Sequence, residues 1–340
     1  MLGLAEAALL RLAARQSGEK QSAEAVQTLR RATALNPASL APRLALLREL
    51  SGQSDWPAVE QEAREALAID ARSPDAHEAL GVALMRLGRD QEAIEELKAA
   101  VALDYSPQAQ ALLLKLRKGQ DDERSMKEES LGYFTLRYEG QAHEAVGSEI
   151  LRALERHYAT LTVTFGRHPS ARIPVILFTE QAFYQATHAP RWSGGLYDNS
   201  DGRIRLPIGG LTTSLSPELD NVLIHELTHA FVADMSHGRA PLALHEGLAM
   251  HMEGKRLDEM LTRDQLRALA DGQMSGVALT YLSGLAFAEY LIEQRGWGGV
   301  KDLLRAMGEG QEDAFQKVYG QTAQELGRAT EVRLRQRYGS

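Results

Sequence analysis

The apolar positions in the first third of the chain recur with a fixed period. The triplets Ala34-Leu35-Asn36, Ala68-Ile69-Asp70 and Ala102-Leu103-Asp104 begin 34 residues apart. Around these triplets, Leu and Ala recur at helical spacing, which predicts amphipathic helices. Helices that touch through small residues and present Leu to the next pair form a stackable unit. The pattern therefore predicts three helical pairs in an all-α array.

The 34-residue unit resembles the tetratricopeptide repeat. The resemblance implies an all-α solenoid domain over residues 1–118, with three repeats and a capping helix over residues 107–118. It also implies a groove for a peptide or protein partner, and the alternative is a packed spacer. Asp75 and Glu78 stand at groove positions where the family's carboxylate-clamp members have Lys, Asn and Arg. A partner of the carboxylate-clamp class is therefore not expected. The matching positions are Leu12, Ala25, Leu29, Ala32, Pro37, Leu46, Leu50, Val59, Ala63, Ala66, Leu80, Gly81, Leu84, Ala93, Leu97 and Ala100.

A polar stretch follows the repeats. Residues 119–130 contain a single apolar side chain, that of Met126. Such a composition is typical of a linker or of a solvated helix extension. Residues 131–340 then form the second predicted domain.

The second domain begins with alternating strand and helix patterns. Alternation over residues 133–138 predicts a strand, and the apolar run over residues 173–178 predicts a buried one. Helical spacing of apolar residues predicts helices over residues 143–165 and 181–187.

A hairpin and a helical tail are predicted after these elements. Residues 193–207 predict the hairpin, and Pro207 suits an edge strand because it cannot donate to a ladder. Residues 203–206 are therefore expected to form an edge strand. The end of the chain is predicted to be helical, including a helix over residues 280–294 that ends before Gly296.

One helical motif carries candidate chemistry. Residues 221–229 read Asn-Val-Leu-Ile-His-Glu-Leu-Thr-His and contain His-Glu-x-x-His. On a helix, His225 and His229 lie one turn apart on the same face, so both imidazoles can point at one metal ion. Glu226 lies on the same turn, where it can hold a water that the metal has acidified.

The helix that carries this motif has a marked start and end. Ser216 suits the N-cap, Pro217 the first turn, and Gly238 the position after the last turn. Apolar neighbours predict a buried helix, in which polar groups are costly. The alternative is chance, because a random chain with ten His residues would contain the pattern in about two cases in a hundred.

The third ligand of such a site has to be His or a carboxylate. Hydrolytic zinc sites use three protein ligands and keep one position open for water. The chain has no Cys, which excludes thiolate ligands and disulfides. Met235 stands six residues after His229, so the longer metzincin pattern is absent. An apolar segment downstream carries Glu246 within Pro-Leu-Ala-Leu-His-Glu-Gly-Leu-Ala-Met-His-Met-Glu.

The His-Glu-x-x-His motif and the Glu-Gly-Leu-Ala segment together resemble the gluzincin metallopeptidases. This group includes thermolysin and the aminopeptidase-N-like enzymes, and the bacterial peptidase MA-like domains are especially similar. The resemblance covers about residues 131–338 and implies a thermolysin-like α+β domain with a helical C-terminal part. It implies that His225, His229 and Glu246 hold Zn²⁺. Glu226 would then be the general base of a zinc peptidase with a peptide or protein substrate.

The resemblance also implies roles for two further segments. Family members often place a Tyr near the zinc to stabilise the oxyanion, and Tyr281 is the candidate here, with a core Tyr as the alternative. The strand over residues 203–206 would pair with an extended substrate, or it is an ordinary protected edge. Met250 stands where thermolysin has an acidic partner for its histidines. No Gly-x-Met-Glu-Asn signature is present, which favours an endopeptidase over an aminopeptidase.

The net charge and the hydropathy of the chain limit the classes of partner that the sequence predicts. A net charge of −8 argues against nucleic acid, and no apolar run approaches the roughly 18 residues of a membrane span. Residues 1–14 are interrupted by Glu6 and Arg11 and have no basic region before them, so they predict a helix and no targeting signal. The compartment stays open: cytoplasmic by default, periplasmic or secreted if a leader has been removed.

Two rival hypotheses are compatible with the sequence. In one, the repeats act as a scaffold that binds a partner, and the metal motif is a vestigial or regulatory zinc site. In the other, the zinc site hydrolyses an amide that is not a peptide.

Overall fold

The computed structural model describes residues 2–19, 21–123, 126–139, 144–191, 193–208, 214–311 and 313–339. The chain forms two compact units. The first unit comprises Met1–Gln141, Ser170–His188 and Ser200–Arg203. The second unit comprises Ala142–Pro169, Ala189–Asn199 and Ile204–Ser340.

The first unit begins with helices that match the predicted repeats. Leu46, Leu50, Leu80 and Leu84 lie in their shared core. Gly81 allows two helices to touch, because a Cβ there would lie 2.7 Å from Leu97 Cγ. The repeat prediction is thus confirmed as a helical, repeat-like region. The helices are α1 (Leu2–Gly18), α2 (Ser22–Leu35), α3 (Leu40–Gly52), α4 (Trp56–Ile69), α5 (Pro74–Arg86), α6 (Asp90–Leu103) and α7 (Pro107–Glu123).

Three strands of the first unit belong to a mixed sheet of five strands. Strand β1 (Met126–Leu131) pairs antiparallel with β2 (Phe134–Glu139), and β2 pairs parallel with β3 (Ile173–Thr179), with Phe134 opposite Ile173. The expected linker over residues 119–130 is wrong in its second half. Helix α7 continues to Glu123, as the helix-extension alternative allowed, but a strand begins at Met126. This strand is charged and mostly exposed, so it has no apolar pattern.

The second unit contains most of the remaining elements. Helix α8 (Glu144–Phe165) belongs to it, whereas α9 (Glu180–Thr187) lies in the first unit. In the long α14 (Val277–Gly308), Gly296 has a φ of 62° and a ψ of −171°, so two helices meet there without an intervening loop. The other helices are α10 (Pro217–Ser236), α11 (Leu242–Met252), α12 (Leu257–Met260), α13 (Arg263–Ala270), α14 (Val277–Gly308), α15 (Ala314–Tyr319) and α16 (Ala323–Tyr338).

The predicted hairpin is present, but its second strand does not lie at the edge of the sheet. Strand β4 (Leu196–Asp198) is at the edge of the sheet, and β5 (Arg203–Ile208) is an inner strand. The prediction that residues 203–206 form an edge strand is therefore wrong. The prediction rested on Pro207, but Arg203 and Arg205 of the same strand are buried and paired with acidic residues.

No membrane span was found in the part of the chain that the structure describes. None of the helices there has both the length and the apolar character that crossing a bilayer requires.

Candidate metal centre

Helix α10 presents the two histidines of the motif. Its start is set by Ser216, whose hydroxyl accepts a hydrogen bond from Leu219 N at 3.2 Å. Its end is set by His237, which has a φ of 49°. The predicted helix start is thus confirmed. The Nε2 atoms of His225 and His229 lie 3.1 Å apart, as expected of one helical face.

Helix α11 brings a carboxylate to the same point. Glu246 Oε2 lies 3.5 Å from His225 Nε2 and 3.8 Å from His229 Nε2. The ligand atoms of these three residues all lie within 4.8 Å of one another, and no other metal-type group was found among the described residues. The structure therefore brings together the three side chains named from sequence.

The three atoms fit a tetrahedral metal. Zinc binds nitrogen and oxygen ligands at about 2.0–2.2 Å, which places two ligands of one ion about 3.3 Å apart. The three observed separations bracket that value. Glu246 Oε2 is also buried without a hydrogen-bond partner. A buried carboxylate oxygen without a donor is costly, and a cation would satisfy it.

A second carboxylate orients His225. Glu253 Oε1 lies 3.0 Å from His225 Nδ1, and the other oxygen of Glu253 is paired with Lys255. A carboxylate on the far ring nitrogen holds the imidazole so that Nε2 can face a metal. The position four residues after Glu246, where thermolysin has an acidic partner, is Met250, so the resemblance did not point to Glu253. Glu253 lies seven residues after Glu246, two turns along the same face.

Glu226 lies beside this group, and the pKa of its carboxyl is raised. Burial raises the pKa of its carboxyl to about 7, and the negative charge of Glu246 also raises it. Its Oε2 accepts a hydrogen bond from Tyr197 N, in strand β4, at 2.6 Å. A carboxyl group with a pKa near 7 can both take and return a proton at neutral pH.

The pKa values of the two histidines are shifted in opposite directions. Burial alone would lower the pKa of His225, but Glu246, Glu253 and Glu226 together raise it to about 10. Burial and the charge of His225 lower the pKa of His229 well below its usual value. The carboxylates around these two rings would also stabilise a bound cation.

Close backbone packing positions Glu226. A Cβ on Gly195 would lie 2.9 Å from Glu226 Cγ and 2.9 Å from Val222 Cγ1. Any side chain at that position would have to displace Glu226. The segment leading into β4 thus lies directly against the candidate base, and the absence of a side chain at Gly195 permits this approach.

Tyr281 lies within electrostatic reach of the site. Burial raises the pKa of its phenol, and the charges of Glu246 and Glu226 raise it further. Tyr281 is partly exposed and belongs to α14. Its phenol is thus a neutral donor at physiological pH near the two carboxylates.

Three other histidines lie outside the ligand group. The ring of His245 is 5.5 Å from that of His229, and the ring of His251 is 5.8 Å from that of Trp297. His237 Nδ1 pairs with Gly308 O at 2.8 Å. Among the described residues, the group that could hold a metal consists of His225, His229 and Glu246 and includes none of these three.

The helix that carries Glu246 is held by a close crossing with α14. A Cβ on Gly247 would lie 2.0 Å from Gly284 O, and one on Gly284 would lie 2.5 Å from Ala243 O. Only glycine permits backbones to approach this closely. The glycine after Glu246 therefore lets α11 pack where its carboxylate reaches the histidines.

Comparison with known proteins supports one part of the chain. The family model described as tetratricopeptide repeat matches residues 74–106, which contain α5 and α6. No curated protein matches the chain. The match indicates a region of the kind that serves as a protein-interaction scaffold. These comparisons do not support a gluzincin domain, so the resemblance to gluzincins stays a prediction from the sequence.

Proposed function

We propose that the second unit is a zinc-dependent peptidase of the gluzincin type, and that the repeats recruit a substrate or partner protein. One observation carries the proposal: His225, His229 and Glu246 converge at separations of 3.1 to 3.8 Å. An orienting carboxylate on His225 and a buried glutamate beside the group add to it. These are the parts that hydrolysis by a metal-activated water requires.

The side chains have distinct parts in the proposed reaction. His225, His229 and Glu246 would hold Zn²⁺, which when bound supplies a Lewis acid and an acidified water. Glu226 would take a proton from the attacking water on the oxygen that Tyr197 N does not occupy, and would return it to the leaving amine. A pKa of about 7 suits both steps. Tyr281 would donate a hydrogen bond from its phenol to the oxyanion.

The strand expected to align a substrate is β4. Residues 203–206 lie in the inner strand β5, whereas β4 is the edge strand and carries Tyr197 beside Glu226. An extended peptide can add to an exposed edge through main-chain hydrogen bonds. We therefore transfer the substrate-pairing role to β4, which favours an unfolded peptide segment as substrate and an endopeptidase over an aminopeptidase.

A second candidate function is an interaction scaffold with a non-catalytic metal site. The tetratricopeptide-repeat match supports the scaffold directly, and it supports no activity. In this alternative, the histidine and glutamate group binds a metal for regulation or is vestigial. The peptidase hydrolyses peptides and the scaffold does not. Measurements of bound metal and of peptide hydrolysis therefore distinguish the two functions.

Metal content is the first test of the proposal. Protein purified without chelator should contain about one zinc per chain, and His229→Ala should contain almost none because only two ligands are left. Inductively coupled plasma mass spectrometry measures the metal, and release of fluorescent peptides from labelled casein measures hydrolysis. Zinc with no hydrolysis would favour the scaffold, and no zinc at all would remove the peptidase proposal.

Glu253 offers a milder test of the same site. Glu253→Gln should weaken zinc binding by about 10- to 100-fold, because a neutral amide holds the His225 ring less firmly. Competition with a fluorescent zinc chelator gives the affinity. Glu259→Gln changes an exposed glutamate of α12 in the same way and serves as the control. Equal affinities in the two variants would contradict the role of Glu253.

A further inference from the structure

The C-terminal end of α11 reverses the direction of the chain. Gly254 has a φ of 84°, a conformation that favours glycine. Lys255 N donates a hydrogen bond to Met250 O at 3.0 Å, and Gly254 N donates one to His251 O at 3.1 Å. These two hydrogen bonds are those of a Schellman motif. The chain therefore turns back directly after Glu253.

The reversal places an ammonium group beside a buried carboxylate. The side chain of Glu253 is 6% exposed, and that of Lys255 is 41% exposed. Lys255 Nζ is paired with Glu253 Oε2, and among the residues that the structure describes this oxygen has no other partner. A buried carboxylate oxygen without a cation or a donor is costly. Lys255 is therefore the group that stabilises this side of the carboxylate.

The other oxygen of the same carboxylate faces the metal group. Glu253 Oε1 lies 3.0 Å from His225 Nδ1, and Nε2 of the same ring lies 3.5 Å from Glu246 Oε2. A carboxylate group is planar and rigid, so a partner that fixes one oxygen also restricts the position of the other. Lys255, Glu253 and His225 thus form a series of contacts that ends at the metal ligands. All of these residues belong to the second unit.

We infer that Lys255 is a positioning residue of the metal centre: it holds the carboxylate of Glu253 where Oε1 meets His225, and so it strengthens the binding of Zn²⁺. The inference rests on the proposed function, because that function assigns Zn²⁺ to the group. It extends the centre by a residue nine positions after Glu246. Lys255 acts on the ligands only through Glu253.

The charge of Lys255 has an effect opposite to that of its position. An ammonium group repels a dication, so loss of the charge alone would tighten zinc binding. This repulsion is weak, because Lys255 is exposed to water and Glu253 separates it from His225. A positioning role therefore predicts weaker zinc binding when Lys255 is replaced, whereas a purely electrostatic role predicts stronger binding.

Lys255→Met in the full chain tests the inference, with Zn²⁺ alone as the probe. Competition with a fluorescent chelator should give a zinc affinity about 3- to 10-fold below that of the wild type, a smaller loss than in Glu253→Gln. Lys255→Arg keeps the charge and should recover most of the lost affinity. Lys317→Met removes an exposed lysine of α15 and is the matched control, with the affinity of the wild type.

A double-mutant cycle shows whether Lys255 acts through Glu253. In a Glu253→Gln background, adding Lys255→Met should change the zinc affinity by less than about twofold, because the carboxylate that Lys255 holds is already absent. Equal losses in the two backgrounds would overturn the inference. An unchanged or a tighter affinity in Lys255→Met alone would overturn it as well.

The same measurements separate this inference from the proposed function. If the wild type binds zinc but hydrolyses no casein, the peptidase proposal fails, and the zinc affinities still decide the role of Lys255. If the wild type binds zinc and cleaves casein while Lys255→Met matches it in affinity, the inference alone fails. Absence of zinc binding in the wild type would overturn both. Lys255→Gln replaces Lys255→Met if the latter does not unfold cooperatively.

Discussion

Replacing Glu226 with glutamine is expected to lower the turnover of labelled casein by about 10²- to 10⁴-fold while zinc stays bound. The amide keeps the size of the carboxyl group, and its oxygen can still accept the hydrogen bond from Tyr197 N. Its nitrogen has no basic lone pair for the proton of water. The loss should therefore appear in kcat, with the metal content and melting temperature close to those of the wild type.

Glu218→Gln is the matched control for this experiment. Glu218 lies in the first turn of the same helix and is exposed, so its turnover should stay within about twofold of the wild type. If Glu226→Gln holds zinc and cleaves casein as fast as Glu218→Gln, then Glu226 is not the base. Loss of zinc from Glu226→Gln would instead assign that side chain a structural part in the metal group.

Gly247→Ala is expected to destabilise the protein by about 1–3 kcal/mol. The added methyl would lie 2.0 Å from Gly284 O and 2.4 Å from its carbonyl carbon, so α11 and α14 must move apart. Because Glu246 precedes this glycine, zinc affinity should fall as well. Thermal unfolding measures the first effect, and competition with a zinc chelator measures the second.

Gly327→Ala is the control substitution, and it is expected to stabilise the protein. Gly327 lies inside α16, and a Cβ there would meet no atom within 4 Å. Alanine should therefore stabilise the helix by about 0.5–1 kcal/mol. If Gly247→Ala melts at or above the wild-type temperature, the helices do not cross as closely as described, and the positioning of Glu246 needs another cause.

Features with local causes were predictable from sequence. The repeat helices follow from a 34-residue period, and the start of α10 follows from a serine cap before proline. The metal group was also named from spacing and resemblance, because a helix fixes how far apart His225 and His229 lie.

Features with distant partners were not predictable. Strand β1 has no apolar alternation because it lies at a charged sheet edge. Strand β5 has two arginines, and Arg203 is buried only because Asp90 and Glu123 lie opposite it. Glu253 was missed because two helical turns, and not one, separate it from Glu246. For Arg203 and for Glu253, whose partner is His225, the deciding neighbour comes from another part of the chain.

These distant pairs change how the repeats should be tested. Deleting residues 1–118 would remove Asp90 and Lys115, leaving Arg203 and Asp201 buried without those partners. Loss of cleavage in such a truncation would reflect damage to the hairpin as much as loss of recruitment. Substitutions on the exposed faces of the repeat helices keep the buried pairs and test recruitment alone.

The chain passes between the two units five times, the last time after Arg203. During synthesis, Asp90 and Glu123 are made well before Arg203, so the first unit lacks one of its buried arginines until that residue leaves the ribosome. Folding should therefore be completed late, with Arg137 the earlier partner of both carboxylates. A single proteolytic cut should likewise fail to release either unit intact, because each is assembled from separate stretches of chain.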